Sequence, residues 1–381
     1  MNALKALNRH GQSFWLDSLD DEFSRRSGWK SIIQWNDYRG LISRPPVFGK
    51  AFFPPPEYCH LIYRLRDEGR DPESIYEHLA IREIRAAAGR MRSVYASTQG
   101  QDGYVSWEVS PHLAYDTYGL LMEARRLWRT VGRDNLMIRI PATDEGIAAI
   151  PLLIAEGIHV HATLIFSHQA YRRVAQAYLS GLEDLLARGG DPSKVAAVAS
   201  FCLNRIDAEV DVRLTALEMQ SRCSDEAESA KSLHGQMAIA SAKLTYQSFL
   251  EIHDEQRWSE LSQRWRALKG LGAKPLRLLW SGTEVKNPEY DTLKYVEALI
   301  ARDTVSVMSP ATARVFRRRG RVVPTLEKGV EEAQAAVAQL KELGLSWEGL
   351  AGSLLADGVF AFQKDFDQSL DGIERRSRVA A

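Results

Sequence analysis

Cysteine is scarce in this chain of 381 residues: there are three, at positions 59, 202 and 223, far apart and never in a CxxC pair. That argues against a disulfide framework and fits a reducing compartment. An excess of either charge is also missing, since Lys plus Arg and Asp plus Glu both number 49. Neither nucleic acid nor an anionic membrane is therefore expected as a partner. The one basic cluster, Arg317 to Arg319 with Arg321, reads as a solvated helix end. No apolar run approaches the roughly 18 residues of a membrane span, and Met1 to His10 lacks the apolar stretch of a secretion signal. The expectation is a soluble, cytoplasmic protein. Glycine-rich dinucleotide fingerprints, solenoid repeats, low-complexity tracts and Pro/Gly/Ser linkers are absent as well.

What the chain does have is an ordinary apolar fraction of 45% arranged in a repeating pattern. Short β-rich runs fall at 13–17, 40–43, 104–110, 136–140, 160–166, 198–203, 276–281 and 304–308. Longer helical patterns separate them, at 72–97, 112–131, 145–156 and 169–187 among others. In the first of these, Ala80, Ile84, Ala87, Met91 and Val94 recur at three- and four-residue steps and mark one buried face. A capping residue followed by proline at Asp71-Pro72, Ser110-Pro111, Asp191-Pro192, Asn287-Pro288 and Ser309-Pro310 predicts helix starts. Eight strand-to-helix steps with nearly continuous apolar strands predict a single (β/α)8 TIM barrel over 1–381. Residues 206–249 read as a helical insertion between strands six and seven, and 326–381 as C-terminal helices.

Chemistry in such a barrel sits at the C-terminal strand ends. That rule selects Asp17, Ser43, Arg44, Glu108, Arg139, the 160–163 segment with His161 and Thr163, the stretch Ser200 to Arg205, the 280–286 loop with Lys286, and Met308. Charged groups are costly on buried strand ends unless paired or used, which singles out Asp17, Glu108 and Arg139. A purely structural ion network is the alternative.

The runs GQSFWLD at 11–17, DGYVSWEVSPHL at 102–113, NLMIRIPAT at 135–143, EGIHVHATLIFS at 156–167, VASFCLNRID at 198–207 and KNP at 286–288 resemble the transaldolases, in the order of that family's motifs and over almost the whole chain. The resemblance implies transfer of a dihydroxyacetone unit between sugar phosphates, with no metal or organic cofactor. It implies a Schiff-base lysine on strand four, a glutamate and a threonine that hold a catalytic water, and an acid/base aspartate on strand one. Carried over by motif, these last three are Glu108, Thr163 and Asp17.

The lysine position of the motif reads Arg139. A guanidinium stays protonated and cannot form a Schiff base, but it clamps carboxylate or phosphate with paired hydrogen bonds. The family's Ser-Asn-Pro reads Ser43, Arg44, Pro45, and two family asparagines read His159 and His161, the latter at a substrate-hydroxyl contact. After strand seven, Gly282 takes the place of a serine and Glu284 adds negative charge, so weak binding of ordinary ketose phosphates is expected. Ser200, Arg205 and Lys286 remain as anion ligands. Lys243 is no convincing substitute for the missing lysine. The expected function is acid–base chemistry without an imine (isomerisation, dehydration, cyclisation or an aldol step) on a sugar-like or carbonyl substrate. Asp17 and Glu108 would carry protons, Arg44 and Arg139 would stabilise an enolate or bind a carboxylate, and His161 would titrate near neutrality as a second acid/base. The alternatives are a non-catalytic metabolite-binding homologue and residual transaldolase activity. His159 and His161 share a strand face, so with Glu108 or Asp17 they would form a metal site; hydrogen-bonded histidines in a polar pocket is the preferred reading. The expected partner is a small molecule, the expected oligomer a monomer or dimer.

Overall fold

A computed structural model describes residues 2–17, 37–42, 56–221, 223–254 and 256–378. Eight parallel strands close into a barrel in sequence order: β1 (Gln12–Asp17), β2 (Gly40–Ile42), β3 (Tyr104–Glu108), β4 (Leu136–Pro141), β5 (Val160–Ile165), β6 (Ala197–Cys202), β7 (Arg277–Ser281) and β8 (Thr304–Met308). The TIM barrel and its eight strands fall where the apolar runs predict them, within a residue or two at most ends. Among the described residues, no helix is long and apolar enough to cross a membrane.

Helices α1 (Ala3–Arg9), α2 (Pro56–Asp67) and α3 (Pro72–Ser97) precede β3, and α4 (Thr117–Val131), α5 (Asp144–Ile154) and α6 (His168–Ala187) follow β3, β4 and β5. On α3, Ala80, Ile84, Ala87 and Met91 are buried as the periodicity requires. Between β6 and β7 come α7 (Leu203–Gln220), α8 (Ser224–Ser232), α9 (Met237–His253) and α10 (Glu260–Gly270). The predicted insertion is therefore divided. Within it, α9 packs beside α6 on the outside of the barrel, with ten buried residues, and α7 starts at once after β6. The short α11 (Lys294–Ala298) precedes β8, and α12 (Pro310–Arg319), α13 (Val330–Glu342) and α14 (Trp347–Arg378) complete the described chain.

The cap-plus-proline signals are realised unevenly. Asp71 accepts from the Ser74 amide at 2.8 Å and Ser309 from the Thr312 amide at 3.2 Å, each opening an α-helix. Ser110-Pro111 and Asp191-Pro192 open only single 3-10 turns. Asn287-Pro288 opens a turn, and the next helix waits until Lys294. In these last cases the chain reverses within a few residues, so the proline fixes a turn rather than a first helical turn.

Strand register explains where every interior side chain stands. The hydrogen-bonded partners Glu108, Arg139, His161, Val198 and Arg277 run from β3 to β7. Because strands tilt and stagger in such a barrel, this line descends from one end to the other, and residues of equal height come from alternate strands. Combining all pairings gives five interior layers. The floor, at the N-terminal ends, holds Ser13, Tyr104, His159 and Arg277; above it lie Gly40, Met137, Val198 and Val305. Trp15, Ser106, His161 and Leu279 form the middle. Ile42, Arg139, Ser200 and Val307 come next, and Asp17, Glu108, Thr163 and Ser281 form the mouth. Gly40 has no side chain for a reason: a Cβ there would lie 2.5 Å from the Trp15 ring.

The floor is closed by a buried ion pair. Arg277 donates to Asp102 at 3.0 Å and to the Ser13 hydroxyl at 2.9 Å. Asp102 also accepts from Ser13 at 2.7 Å and from the Trp15 indole at 3.0 Å. Removing the arginine strands a buried carboxylate, so Arg277→Ala should lower unfolding stability by about 3–5 kcal/mol. Urea denaturation checks this; a loss below about 1 kcal/mol, the scale of a surface pair, would contradict it.

Candidate functional site

At the mouth, β3 and β4 run side by side with Glu108 opposite Arg139. The pairing brings the Arg139 Nη2 to 2.8 Å from Glu108 Oε2, with both side chains almost wholly buried. Thr163 donates to the other Glu108 oxygen at 3.3 Å. A bulge after Ala162, with Leu164 at a left-handed φ of 60°, shifts the end of β5 relative to β6 just past Thr163. Asp17 ends β1 in the same layer as Glu108 and Thr163. Four of the sequence-predicted residues thus gather at one end of the barrel.

Ser200 and Arg205 line a pocket together with Ile42, Arg139, Thr163, Leu164 and residues of the loops after β6 and β7. Lys286 is exposed and is not among the residues lining it. Ser43 and Arg44 lie outside the described residues. None of the eight strands carries a lysine. Lys243 is on α9, outside the barrel, where its amine lies 3.1 Å from the place of a Cβ at Gly329.

Gly282 has φ 64°, and a Cβ there would stand 2.6 Å from Asn204 Oδ1. Serine at this position would therefore be strained, so replacing Gly282 is no simple way to restore a hydroxyl. Sequence reasoning did not single out the pocket residue Phe362. Cys202 sits 3.2 Å from the Ser281 hydroxyl, Asn204 accompanies them, and Phe362 arrives from α14. The first three fall in the stretches 200–205 and 280–286 that the strand-end rule selects. Phe362 carried no signal, because a long-range helix contact leaves no periodic trace.

The two histidines separate. His159 is in the floor layer, where its Nδ1 accepts from the Ala196 amide at 3.2 Å and its Nε2 donates to the Asp134 carbonyl at 2.8 Å. Both nitrogens are engaged by backbone, which leaves none for a metal. His161 is in the middle layer beneath Arg139, and neither ring nitrogen has a hydrogen-bond partner in the described protein. Burial, and then the neighbouring Arg139 charge, holds its pKa well below the usual histidine value. The expectation that His161 titrates near neutrality is thereby corrected: it is a neutral imidazole.

Burial likewise pushes His159 and His253 down to about 4. A histidine with a depressed folded pKa takes up a proton on unfolding below its unfolded value of about 6.5. These groups therefore cost nothing at pH 7.5, and stability is lost as pH falls from about 6.5 towards their folded values. At pH 5.5 each contributes a loss of about 1.4 kcal/mol. Urea midpoints should fall between pH 7.5 and 5.5, before most carboxylates titrate; a constant or rising midpoint contradicts the assignment.

Comparison with known proteins agrees with the barrel fold. The sequence model of the transaldolase/fructose-6-phosphate aldolase family matches residues 14–373. A transaldolase of Thiobacillus denitrificans is 39% identical over 370 residues, covering 97% of this chain and 99% of that one. "Transaldolase 2" of a Nostoc species is 36% identical over 383 residues, covering 100% and 98% of the two chains. A transaldolase of a Parafrankia species is 37% identical over 380 residues, with 99% of each chain covered. The chain belongs to the transaldolase/fructose-6-phosphate aldolase family.

Proposed function

We propose that this chain, acting as one barrel domain, is an enzyme of the transaldolase family that works on a sugar-like or carbonyl substrate by proton transfer without an imine. The observation that supports the reading is the buried pair of Arg139 and Glu108 at 2.8 Å, at the strand position that the motif resemblance assigns to the family's lysine. A guanidinium with a pKa above about 12 does not attack a carbonyl. It does present fixed donors to an oxygen on which negative charge develops. In this reading Glu108 takes a proton from the carbon next to the substrate carbonyl, Arg139 stabilises the resulting enolate, and Asp17 returns a proton. Thr163 orients Glu108 or a water beside it. His161, being neutral, donates or accepts a hydrogen bond and carries no charge. Ser200 and Arg205 hold the substrate, with Ser43, Arg44 and Lys286 as further candidates. No metal or organic cofactor enters the scheme.

The full-length likeness to proteins named transaldolase supports a second reading, dihydroxyacetone transfer between sugar phosphates. It requires an amine from outside the strands; Lys30 and Lys50 lie outside the described residues.

Borohydride reduction separates the readings. After incubation with dihydroxyacetone or fructose 6-phosphate, the imine-free reading expects an unchanged intact mass. A reduced adduct mapped to any lysine overturns it in favour of the transferase. Arg139→Lys alone should not produce efficient transaldolase activity, because the altered substrate-holding residues remain.

Incubation with a pool of sugar phosphates, ketoses and cell extract, read by mass spectrometry, should reveal a consumed compound. On that substrate Glu108→Gln and Asp17→Asn should each lower turnover by about 10²–10⁴. Full activity in both variants would refute the proton-carrying roles of Glu108 and Asp17, and a compound bound but unchanged would favour a non-catalytic protein.

A further inference from the structure

Phe362 lies on α14, remote in sequence from every strand, yet its ring serves two guanidiniums of the pocket. The Arg139 Cζ is 5.8 Å from its centroid and the Arg205 Cζ is 6.0 Å from it. The ring also lines the pocket with Ser200 and Ser281. The helix fixes the position of the ring from both sides. One turn earlier, Gly358 packs on Leu164 so closely that a Cβ would meet Leu164 Cδ2 at 2.8 Å. One turn later, Phe366 meets the edge of Tyr76 with centroids 5.3 Å apart. Between them, Gln363 Nε2 donates to the Pro111 carbonyl at 3.3 Å.

We propose that Phe362 is a specificity-determining residue of the pocket: its ring is the platform for the C–H face of a sugar-like substrate whose anionic end rests on Arg205. This rests on the pocket being the substrate site proposed above, though not on the imine-free chemistry. A carbon chain bearing hydroxyls has an apolar face that suits an aromatic ring, while its oxygens reach Ser200 and Ser281. Arg205 forms no ion pair among the described residues and has only the ring as a cation–π partner. An anion with no carbon chain needs Arg205 but gains nothing from a platform; it competes with the ring for the same cation. The ring therefore acts on the preference between ligands more than on anion binding itself.

The test uses the full-length protein, with dissociation constants for ribose 5-phosphate and inorganic phosphate measured by calorimetry or ligand-detected NMR. Phe362→Ala should weaken ribose 5-phosphate about tenfold, the scale of one lost aromatic contact, while phosphate changes by less than about threefold or tightens. Phe362→Trp should keep the preference of the unaltered protein. Equal weakening of both ligands would mean that the ring merely props the arginines, and would overturn the proposal. So would an unchanged ratio in Phe362→Ala, or an unaltered protein that binds the sugar phosphate no better than phosphate. An imine trapped by borohydride would overturn the proposed chemistry and leave this ratio untouched, so the two failures are distinguishable.

Discussion

The stagger that closes eight parallel strands governs everything inside this barrel. Each interior layer draws its side chains from alternate strands, so neighbours in space are two strands apart at equal height, or one strand apart at successive heights. Ser13 and Arg277 meet in the floor, and Glu108 and Thr163 meet in the mouth, by the first route. Glu108 and Arg139 meet by the second. The order of polar and apolar layers follows. Charge is confined to the floor, where Arg277 is paired with Asp102, and to the upper two layers, where Arg139 pairs with Glu108 and lines the pocket. Met137, Val198 and Val305 form an apolar layer between the two zones. A change at the floor should therefore reach the mouth only through strand geometry, not through a continuous chain of charges.

The fold was legible because each of its signals is local. A buried parallel strand reads as a short apolar run, and an outer helix as a one-faced period. Much of the candidate site was legible for a related reason: strand ends can be located in sequence, and a charge placed there is conspicuous. Asp17, Glu108 and Arg139 stood out on that ground alone. Contacts made by distant segments were not legible. Phe362 lies in a helix whose composition says nothing of Arg139 or Arg205 until α14 is laid across the barrel. His161 failed differently. It stands in the middle layer rather than at the mouth, and its protonation state depends on the surrounding dielectric and on Arg139 beside it, neither of which a motif reports. At Asn287-Pro288 the same residue chemistry that caps a helix also starts a turn, and only the path of the chain decides between them.

The Glu108–Arg139 pair has consequences for stability and for chemistry that point in opposite directions. A buried ion pair returns little net stability, because desolvating two charges offsets most of their attraction; well-packed apolar residues of similar volume commonly do as well or better. Loss of one partner, by contrast, leaves an uncompensated charge. Substitution at either position is therefore constrained by the other, and a change from arginine to a smaller cation would have to preserve the 2.8 Å contact across neighbouring strands. Stability gives no reason for this pair to exist. A reason in chemistry is available, since a permanent cation and a carboxylate at fixed separation form a preorganised dipole in a site largely shielded from water. Such a dipole favours redistribution of charge on a bound carbonyl. It is poorly suited to nucleophilic attack, because guanidinium has no lone pair to offer. Family membership is thus carried by the whole chain, whereas the proposed reaction rests on one contact between the uppermost two layers.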